Sequence, residues 1–260
     1  MPRYILVRET ASTNSYTTRM AAMLPSGTVI HTPRQTAGRG QRGNSWEMEP
    51  DKNLAFSYLL KNPAVAPAEQ FYISEAASLA VVDALSDILP GVTVKWPNDI
   101  YYGDRKLAGM LIEHSLTSTK ISQTIIGIGL NVNQQKFISD APNPVSLSQI
   151  TGREHDLTEL LHAICNRIEE YTAFERYDAE AFAALHSRYM EHLYRHDGAM
   201  HPFALPGGEQ IEATIADVHR DGILTLRHAD GTMHDYAFKE VAFVICPYSA
   251  PCSPAEQNAR

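Results

Sequence analysis

Residues 95 to 109, Lys-Trp-Pro-Asn-Asp-Ile-Tyr-Tyr-Gly-Asp-Arg-Lys-Leu-Ala-Gly, restrict the fold of this chain more than any other segment. Pro97 cannot donate to a central sheet ladder and biases Trp96 toward extended backbone, so a strand from Val92 to Trp96 ends there and presents Asn98 and Asp99 at its tip. Gly103-Asp104 then reads as a tight two-residue turn. The chain returns as an apolar strand, Lys106 to Ile112, with its cation at the start. A cation, an amide and a carboxylate therefore converge at one corner of a sheet.

The pattern around this corner alternates strands and helices. Tyr4 to Val7 and Thr28 to Thr32 read as strands, and Ser12-Thr13-Asn14-Ser15 offers N-caps for a helix from Tyr16 to Leu24. Asn53 to Leu60 is a further strand, and Pro67 opens a long apolar helix through Leu89, stopped by Pro90-Gly91. Gln123 to Val132 is a strand whose Gly127 and Gly129 allow close backbone approach. Polar loops run from Pro33 to Asn53 and from Asn133 to Pro144, and the first is too long for an ordinary connector. Helical periodicity covers Leu157 to Phe174 and Ala179 to Tyr194. Short strands with glycine turns follow: Pro202 to Leu205, Gln210 to Val218, Gly222 to Arg227, Thr232 to Phe238 and Val241 to Ile245. This predicts a main unit over 1–195, a small β-barrel over 198–247 that leans on it, and a disordered tail over 248–260.

Composition excludes several classes. The chain of 260 residues has ordinary hydrophobic (44%) and charged (20%) content, and no run approaches the roughly 18 apolar residues of a membrane span. The first residues lack a secretory signal pattern, so a cytoplasmic location is expected. A formal charge of -8 argues against general nucleic-acid binding, because phosphate neutralisation needs a basic surface. Cys165, Cys246 and Cys252 form no CxxC and no disulfide framework, and read as reduced thiols.

Gly38-Arg39-Gly40-Gln41-Arg42-Gly43 fits the G-x-G-x-x-G expression but not its context. A dinucleotide turn opens a helix and needs an acidic residue about 20 positions on, whereas Asn44-Ser45-Trp46 follows here and Glu69 is the sole acid between Lys52 and Gln70. Arginines among glycines instead suggest a cradle for phosphate or carboxylate oxygens, with a plain solvated loop as the alternative. Ser12-Thr13-Asn14 reads first as a helix cap, Trp46 as either a packing anchor or an aromatic lid, and Asn131 as a strand end or a donor to a nucleotide. His192 and His196 stand four apart on an expected helix, where a solvated face is favoured over a metal site that lacks a third ligand. GxSxG, HExxH and GxxxxGK[ST] motifs are absent from the sequence, which removes those hydrolase, zinc-protease and P-loop readings.

As a set, Ser12-Thr13-Asn14, Arg34-Gln35-Thr36-Ala37-Gly38-Arg39-Gly40, Trp46, Lys95-Trp96-Pro97-Asn98-Asp99, Arg105-Lys106-Leu107-Ala108-Gly109 and Gly127-Ile128-Gly129-Leu130-Asn131-Val132-Asn133 resemble the biotin protein ligases. The resemblance is dense through about residue 195 and loose beyond. It implies an α+β fold: a mixed-sheet catalytic domain of the biotin/lipoate ligase type with helices on one face, plus a small C-terminal SH3-like β-barrel. It also implies formation of biotinyl-5′-AMP from biotin and ATP, then transfer of biotin to a lysine of a biotin carboxyl carrier protein such as that of acetyl-CoA carboxylase.

By the same resemblance, Ser12, Thr13, Asn14 and Gln35 hold the ureido head of biotin, and Gly38, Arg39, Gly40, Gln41, Lys106, Gly109 and Gly129 line the rest of its site. Arg39, Arg42, Trp46, Lys95, Asn98 and Asn131 bind the nucleotide, with Trp46 stacked on adenine, and Asp99 lies close to Mg²⁺. Lys106, Arg39 and Arg42 are the expected catalytic cations, aligning two anions and countering charge at the α-phosphate. The family loop commonly reads Gly-Arg-Gly-Arg-Arg-Gly, and Gln41 replaces its middle arginine. With the first strand starting near Tyr4, no helix-turn-helix is expected, hence no DNA binding, and the chain is expected as a monomer or weak homodimer. A lipoate or octanoate ligase or transferase is the near alternative, and a noncatalytic biotin or nucleotide sensor the distant one.

Overall fold

The computed structural model describes residues 1–117, 119–139, 141, 143–173 and 178–245, apart from the side chain of residue 42. The expected tail over 248–260, together with Cys246 and Cys252, lies outside them.

In chain order the elements are β1 (Arg3–Leu6), α1 (Thr13–Met20), β2 (Thr28–Thr32), β3 (Gly38–Arg39), β4 (Ser45–Trp46), β5 (Leu54–Lys61), α2 (Phe71–Leu85), β6 (Val92–Lys95), β7 (Asp99–Tyr102), β8 (Arg105–Leu116), β9 (Ile121–Leu130), α3 (Leu147–Thr151), α4 (Leu157–Thr172), α5 (Ala179–Glu191), β10 (His201–Ala204), β11 (Gln210–Val218), β12 (Leu224–His228), β13 (Met233–Tyr236) and β14 (Ala242–Phe243). The main sheet has the order β1-β2-β5-β9-β8-β7-β6. It is mixed, because β1 runs parallel to β2 while the other neighbours are antiparallel.

The sheet is covered on both faces, and its central strand shows how. β5 is buried at every position but its last, so it reads as a continuous apolar run rather than an alternation. Phe56, Tyr58 and Leu60 join the large core with α2 and α4. Leu59 packs instead with Ala21 and Ile125, and Ser57 hydrogen-bonds α1, so α1 lies on the opposite face. The long helices thus occupy one face as the sequence predicts, and α1 is left beside the site. In α2, 12 of 15 residues are buried, which fits a helix enclosed by the sheet, α4 and α5.

The C-terminal unit is a five-stranded antiparallel sheet, β13-β12-β11-β10-β14. Its apolar residues, among them Phe203, Ile215, Leu224 and Leu226, belong to the same buried cluster as the main sheet. Trp96 fastens the two sheets, its Nε1 donating to Gly222 O at 3.0 Å.

Three expectations shift. α2 stops at Leu85 rather than Leu89, the last turn tightening into i→i+3 bonds from Ser86 N to Asp83 O and from Ile88 N to Leu85 O. α3 was not expected, although its Ser146-x-x-Gln149 capping box and left-handed Gly152 are sequence signals. His192 caps the end of α5 and His196 lies beyond it, its Nδ1 paired with Met190 O at 2.8 Å, so the two do not share a helix face.

At the joint between the sheets, His186 bridges Glu75 (2.8 Å) and Asp217 (3.1 Å). The hydrogen bond to Glu75 raises the His186 pKa above 6.5, and burial raises that of Glu75 above 4.5 even with His186 and Arg220 acting against the rise. Both folded-state values lie above the unfolded ones. Their stabilisation is therefore complete at low pH and is lost as pH rises through the folded values. Urea melts should give lower stability at pH 8.5 than at pH 6, and Glu75→Gln should flatten that slope.

Candidate functional site

One cleft on the α1 face collects most of the expected residues. Its open part is about 270 Å³, near the lower end of ligand sites. Ser12, Thr13, Asn14, Gln35, Arg39, Gly40, Gln41, Trp46, Lys95, Asn98, Asp99, Lys106, Gly109 and Gly129 all line it. Gly38 stands at its edge, against the Gln35 amide and the Trp46 carbonyl. The Arg42 side chain lies outside the described atoms.

The polar end is built by the start of α1. Ser12 is the N-cap, accepting from Ser15 N at 3.5 Å, so the cap and lining roles coincide. Thr13 N donates to Gln35 Oε1 at 2.9 Å, and Ser57 Oγ bonds Thr13 Oγ1 at 2.8 Å and Asn14 Oδ1 at 2.5 Å. Asn14 Nδ2 donates to Leu111 O at 2.9 Å and Glu113 Oε2 at 2.7 Å. Ser12, Thr13, Asn14 and Ser57 are buried, Gln35 and Glu113 are partly exposed, and the set holds itself in fixed geometry, the arrangement a rigid polar ligand requires.

The floor is made of glycines. A Cβ on Gly127 would lie 2.1 Å from Asn14 Oδ1, and one on Gly129 would lie 2.4 Å from the Trp46 indole. The two glycines anticipated for close approach therefore admit Asn14 and Trp46 onto the sheet. Gly109, paired in register with Gly129, extends the platform. Trp46 Nε1 is buried with no partner among the described residues.

The glycine loop is a hairpin, β3 against β4, closed by a 3₁₀ turn over Gln41–Gly43. No α-helix opens from it, as the failed dinucleotide context predicts. Arg39 Nη2 donates to both oxygens of Glu113, at 3.1 and 2.9 Å.

The charged corner forms where the sequence puts it. Lys106 Nζ lies 2.7 Å from Asp99 Oδ1 and 5.7 Å from the Trp46 ring centroid. A register shift between β7 and β8 pairs Ile100 with Ala108 but Tyr101 with Lys106. Bulges of this kind re-aim side chains beside active sites, and no residue pattern announced this one. The Lys106 backbone is pinned on both sides, to Asn143 O (2.8 Å) and Val145 N (2.9 Å). Burial lowers the pKa of Lys95, partly opposed by Asp99, and its ammonium sits 5.4 Å and 4.8 Å from the Tyr101 and Phe243 ring centroids.

Asn98 lines the cleft and donates to Met110 O. Asn131 does not line it: its Nδ2 donates to Val145 O at 3.2 Å, tying down the segment that pins Lys106. Sequence reasoning missed Ser57 and Glu113. A lone hydroxyl inside the apolar run Leu54–Lys61 is a detectable signal for Ser57. Glu113 stands two places beyond Leu111 on the same face of β8, a cue readable only once the strand was fixed.

Comparison with known proteins agrees with this geometry. Residues 6–131 match the model of the biotin/lipoate A/B protein ligase family. The chain is 29% identical over 235 residues to the biotin–[acetyl-CoA-carboxylase] ligase of Paracoccus denitrificans, covering 87% of this chain and 95% of that one. It is 32% identical over 146 residues to the bifunctional ligase/repressor BirA of Bacillus subtilis, but the match spans only 44% of that protein's length. The structure of biotin protein ligase from Aquifex aeolicus in complex with biotin and ATP aligns with a TM-score of 0.76 at 25% identity, covering 95% of this chain and 100% of that one. The family match runs through α1, the glycine hairpin, the charged corner and β9, so the elements that build the cleft lie within the stretch, residues 6–131, that is similar to the biotin/lipoate A/B protein ligase family.

Proposed function

We propose that this chain is an ATP-dependent biotin–protein ligase, acting in the cytoplasm on a biotin carboxyl carrier protein domain of acetyl-CoA carboxylase or a related carboxylase. The observation that carries the reading is a single cleft lined by a polar head set and, among the described side chains, by three cations, Arg39, Lys95 and Lys106. In a chain of net charge -8 this local excess of cations suits anionic substrates.

In the first step the biotin carboxylate attacks the α-phosphorus of ATP; the new acyl O–P bond forms as the bond to the β-phosphate oxygen breaks, and pyrophosphate leaves. The carboxylate is the nucleophile, so the protein's task is alignment and charge neutralisation. Ser12, Thr13, Asn14 and Gln35 orient the head, and Lys106 sits between the carboxylate and the α-phosphate. Arg39 and Arg42 close over the anions, while Trp46 and Asn98 hold the adenine end. Asn131 acts through the segment it ties. In the second step the carrier lysine amine attacks the acyl carbon, forming an amide and releasing AMP.

Mg²⁺ enters with ATP as substrate. Asp99 is the single carboxylate among the described lining residues, it is paired with Lys106, and no group of three or more His, Cys, Asp or Glu side chains suited to a metal occurs among the described residues. These residues do not fit a protein cage for the ion, and no step is routed through one.

The lipoate alternative needs an apolar acyl channel, and the buried head set argues against it. Incubation with ATP, biotin and a biotin carboxyl carrier domain should give an avidin-reactive carrier. Modification by lipoate in place of biotin would overturn the reading. Gln41, which lines the cleft where the family commonly has arginine, bears on retention of the intermediate. Gln41→Arg should slow dissociation of biotinyl-5′-AMP, and equal dissociation rates would remove the idea.

A further inference from the structure

Ser57 stands behind the polar end and is not among the residues that line the cleft. It is fully buried in β5, and its Oγ lies 2.5 Å from Asn14 Oδ1 and 2.8 Å from Thr13 Oγ1. Thr13 and Asn14 are both lining residues. One buried hydroxyl thus touches two side chains that face a ligand.

Each hydroxyl has a single proton, and that fixes the direction of these bonds. Leu111 O can only accept, and the Glu113 carboxylate is ion-paired with Arg39, so the Asn14 amide turns its nitrogen to them at 2.9 and 2.7 Å. Its oxygen is left facing Ser57. An amide oxygen cannot donate, so Ser57 gives its proton to Asn14, and the Thr13 hydroxyl supplies the proton between Thr13 and Ser57. The other acceptor near Thr13 Oγ1 is Gln35 Oε1 at 3.4 Å, which already accepts from Thr13 N at 2.9 Å. On either partner the Thr13 proton stays inside the set. Only lone pairs of Thr13 Oγ1 remain for a ligand.

We infer that Ser57 is a positioning residue that makes Thr13 an obligate hydrogen-bond acceptor and thereby selects a bound head group with an N–H donor at that point. That biotin supplies the donor, through one of its two ureido N–H groups, rests on the ligase reading; the order of protons does not. A ring oxygen in place of that N–H would set lone pairs against lone pairs and leave the buried acceptor unmet.

Equilibrium binding of biotin and of its two ring isosteres, each with one ureido N–H replaced by oxygen, reads this selection. In wild type one isostere should bind about 10- to 100-fold more weakly than biotin. Ser57→Ala returns the Thr13 proton to the cleft, where it can meet the ring oxygen, so the preference for biotin over that isostere should shrink by about tenfold, with the KM for ATP unmoved. A merely structural support would weaken biotin and isostere alike and keep their ratio. Isosteres that match biotin in wild type, or a ratio unchanged in the variant, overturn the inference. Should the alanine variant fail to fold, Ser57→Cys nearly keeps the volume, supplies only a weak S–H donor and should shrink the ratio in the same direction. Ligand-free wild type gives a separate test by NMR: the Ser57 and Thr13 hydroxyl protons should give distinct, slowly exchanging signals. Hydroxyl protons in fast exchange with water would overturn the proton order. That measurement uses no ligand, so a folded wild type that binds no biotin would overturn the ligase reading alone.

Discussion

Lys106→Ala should lower biotinyl-5′-AMP formation about 10²- to 10³-fold, the loss seen when one preorganised donor to a developing charge is removed. Lys106 is held at both backbone groups by the segment around Asn143 and Val145, its ammonium is paired at 2.7 Å with Asp99, and its place at the bulge sets it beside Gly109 and Trp46. The backbone bonds and the strand register survive the substitution, whereas the ion pair and the side-chain contacts with Gly109 and Trp46 are lost. The Lys106 and Asp99 side chains are 29% and 17% exposed, so the pair is only partly desolvated, and its loss should alter stability by about 1 kcal/mol or less. Initial rates of pyrophosphate exchange and urea melts separate the two effects. Near-normal exchange would remove Lys106 from the chemistry.

The second large effect is expected at Gly127. A methyl group there would come 2.1 Å from Asn14 Oδ1 and 2.7 Å from its Cγ. Asn14 cannot yield without leaving Ser57, Leu111 O and Glu113. Gly127→Ala should therefore cost about 1–3 kcal/mol, the penalty for stranding buried polar groups. If the head set binds biotin, affinity should fall with it by about 10- to 100-fold. Gly129→Ala is the control. The three atoms nearest its Cβ would all belong to the Trp46 indole, a side chain from the loop, so stability should change by less than about 1 kcal/mol and the effect should fall on the KM for ATP. Denaturant melts with equilibrium biotin binding check both, and equal behaviour of the two variants would contradict the floor described for the cleft.

Much of the site was readable because punctuation residues fix local geometry without help from the rest of the chain. Pro97, the Gly103-Asp104 turn and the cation after it sufficed to bring Lys106 and Asp99 together. Gly127 and Gly129 advertised close approach, and β2 has the predicted bounds, Thr28–Thr32. What escaped depended on pairing between distant strands. The β7–β8 bulge that aims Lys106 is a register shift, and nothing in either strand's own pattern encodes it. Glu113 acquires meaning only when β8 lies under α1 and the hairpin, 74 residues from Arg39 in sequence. Asn131 carried the right chemistry but is not among the residues lining the cleft, its Nδ2 serving a carbonyl of the chain itself. The position of α1 was likewise hidden: its polar residues read first as a cap, the family resemblance alone pointed to a lining role, and the Ser57 contacts that fix them span 43 and 44 residues of sequence.

The most direct test of the central claim is exchange of labelled pyrophosphate into ATP by the purified chain, measured with biotin, with lipoate and with neither. The account predicts exchange that requires biotin, ignores lipoate and is lost in Lys106→Ala. Exchange supported by lipoate, exchange without any acid, or a complete lack of exchange in a folded protein would contradict it.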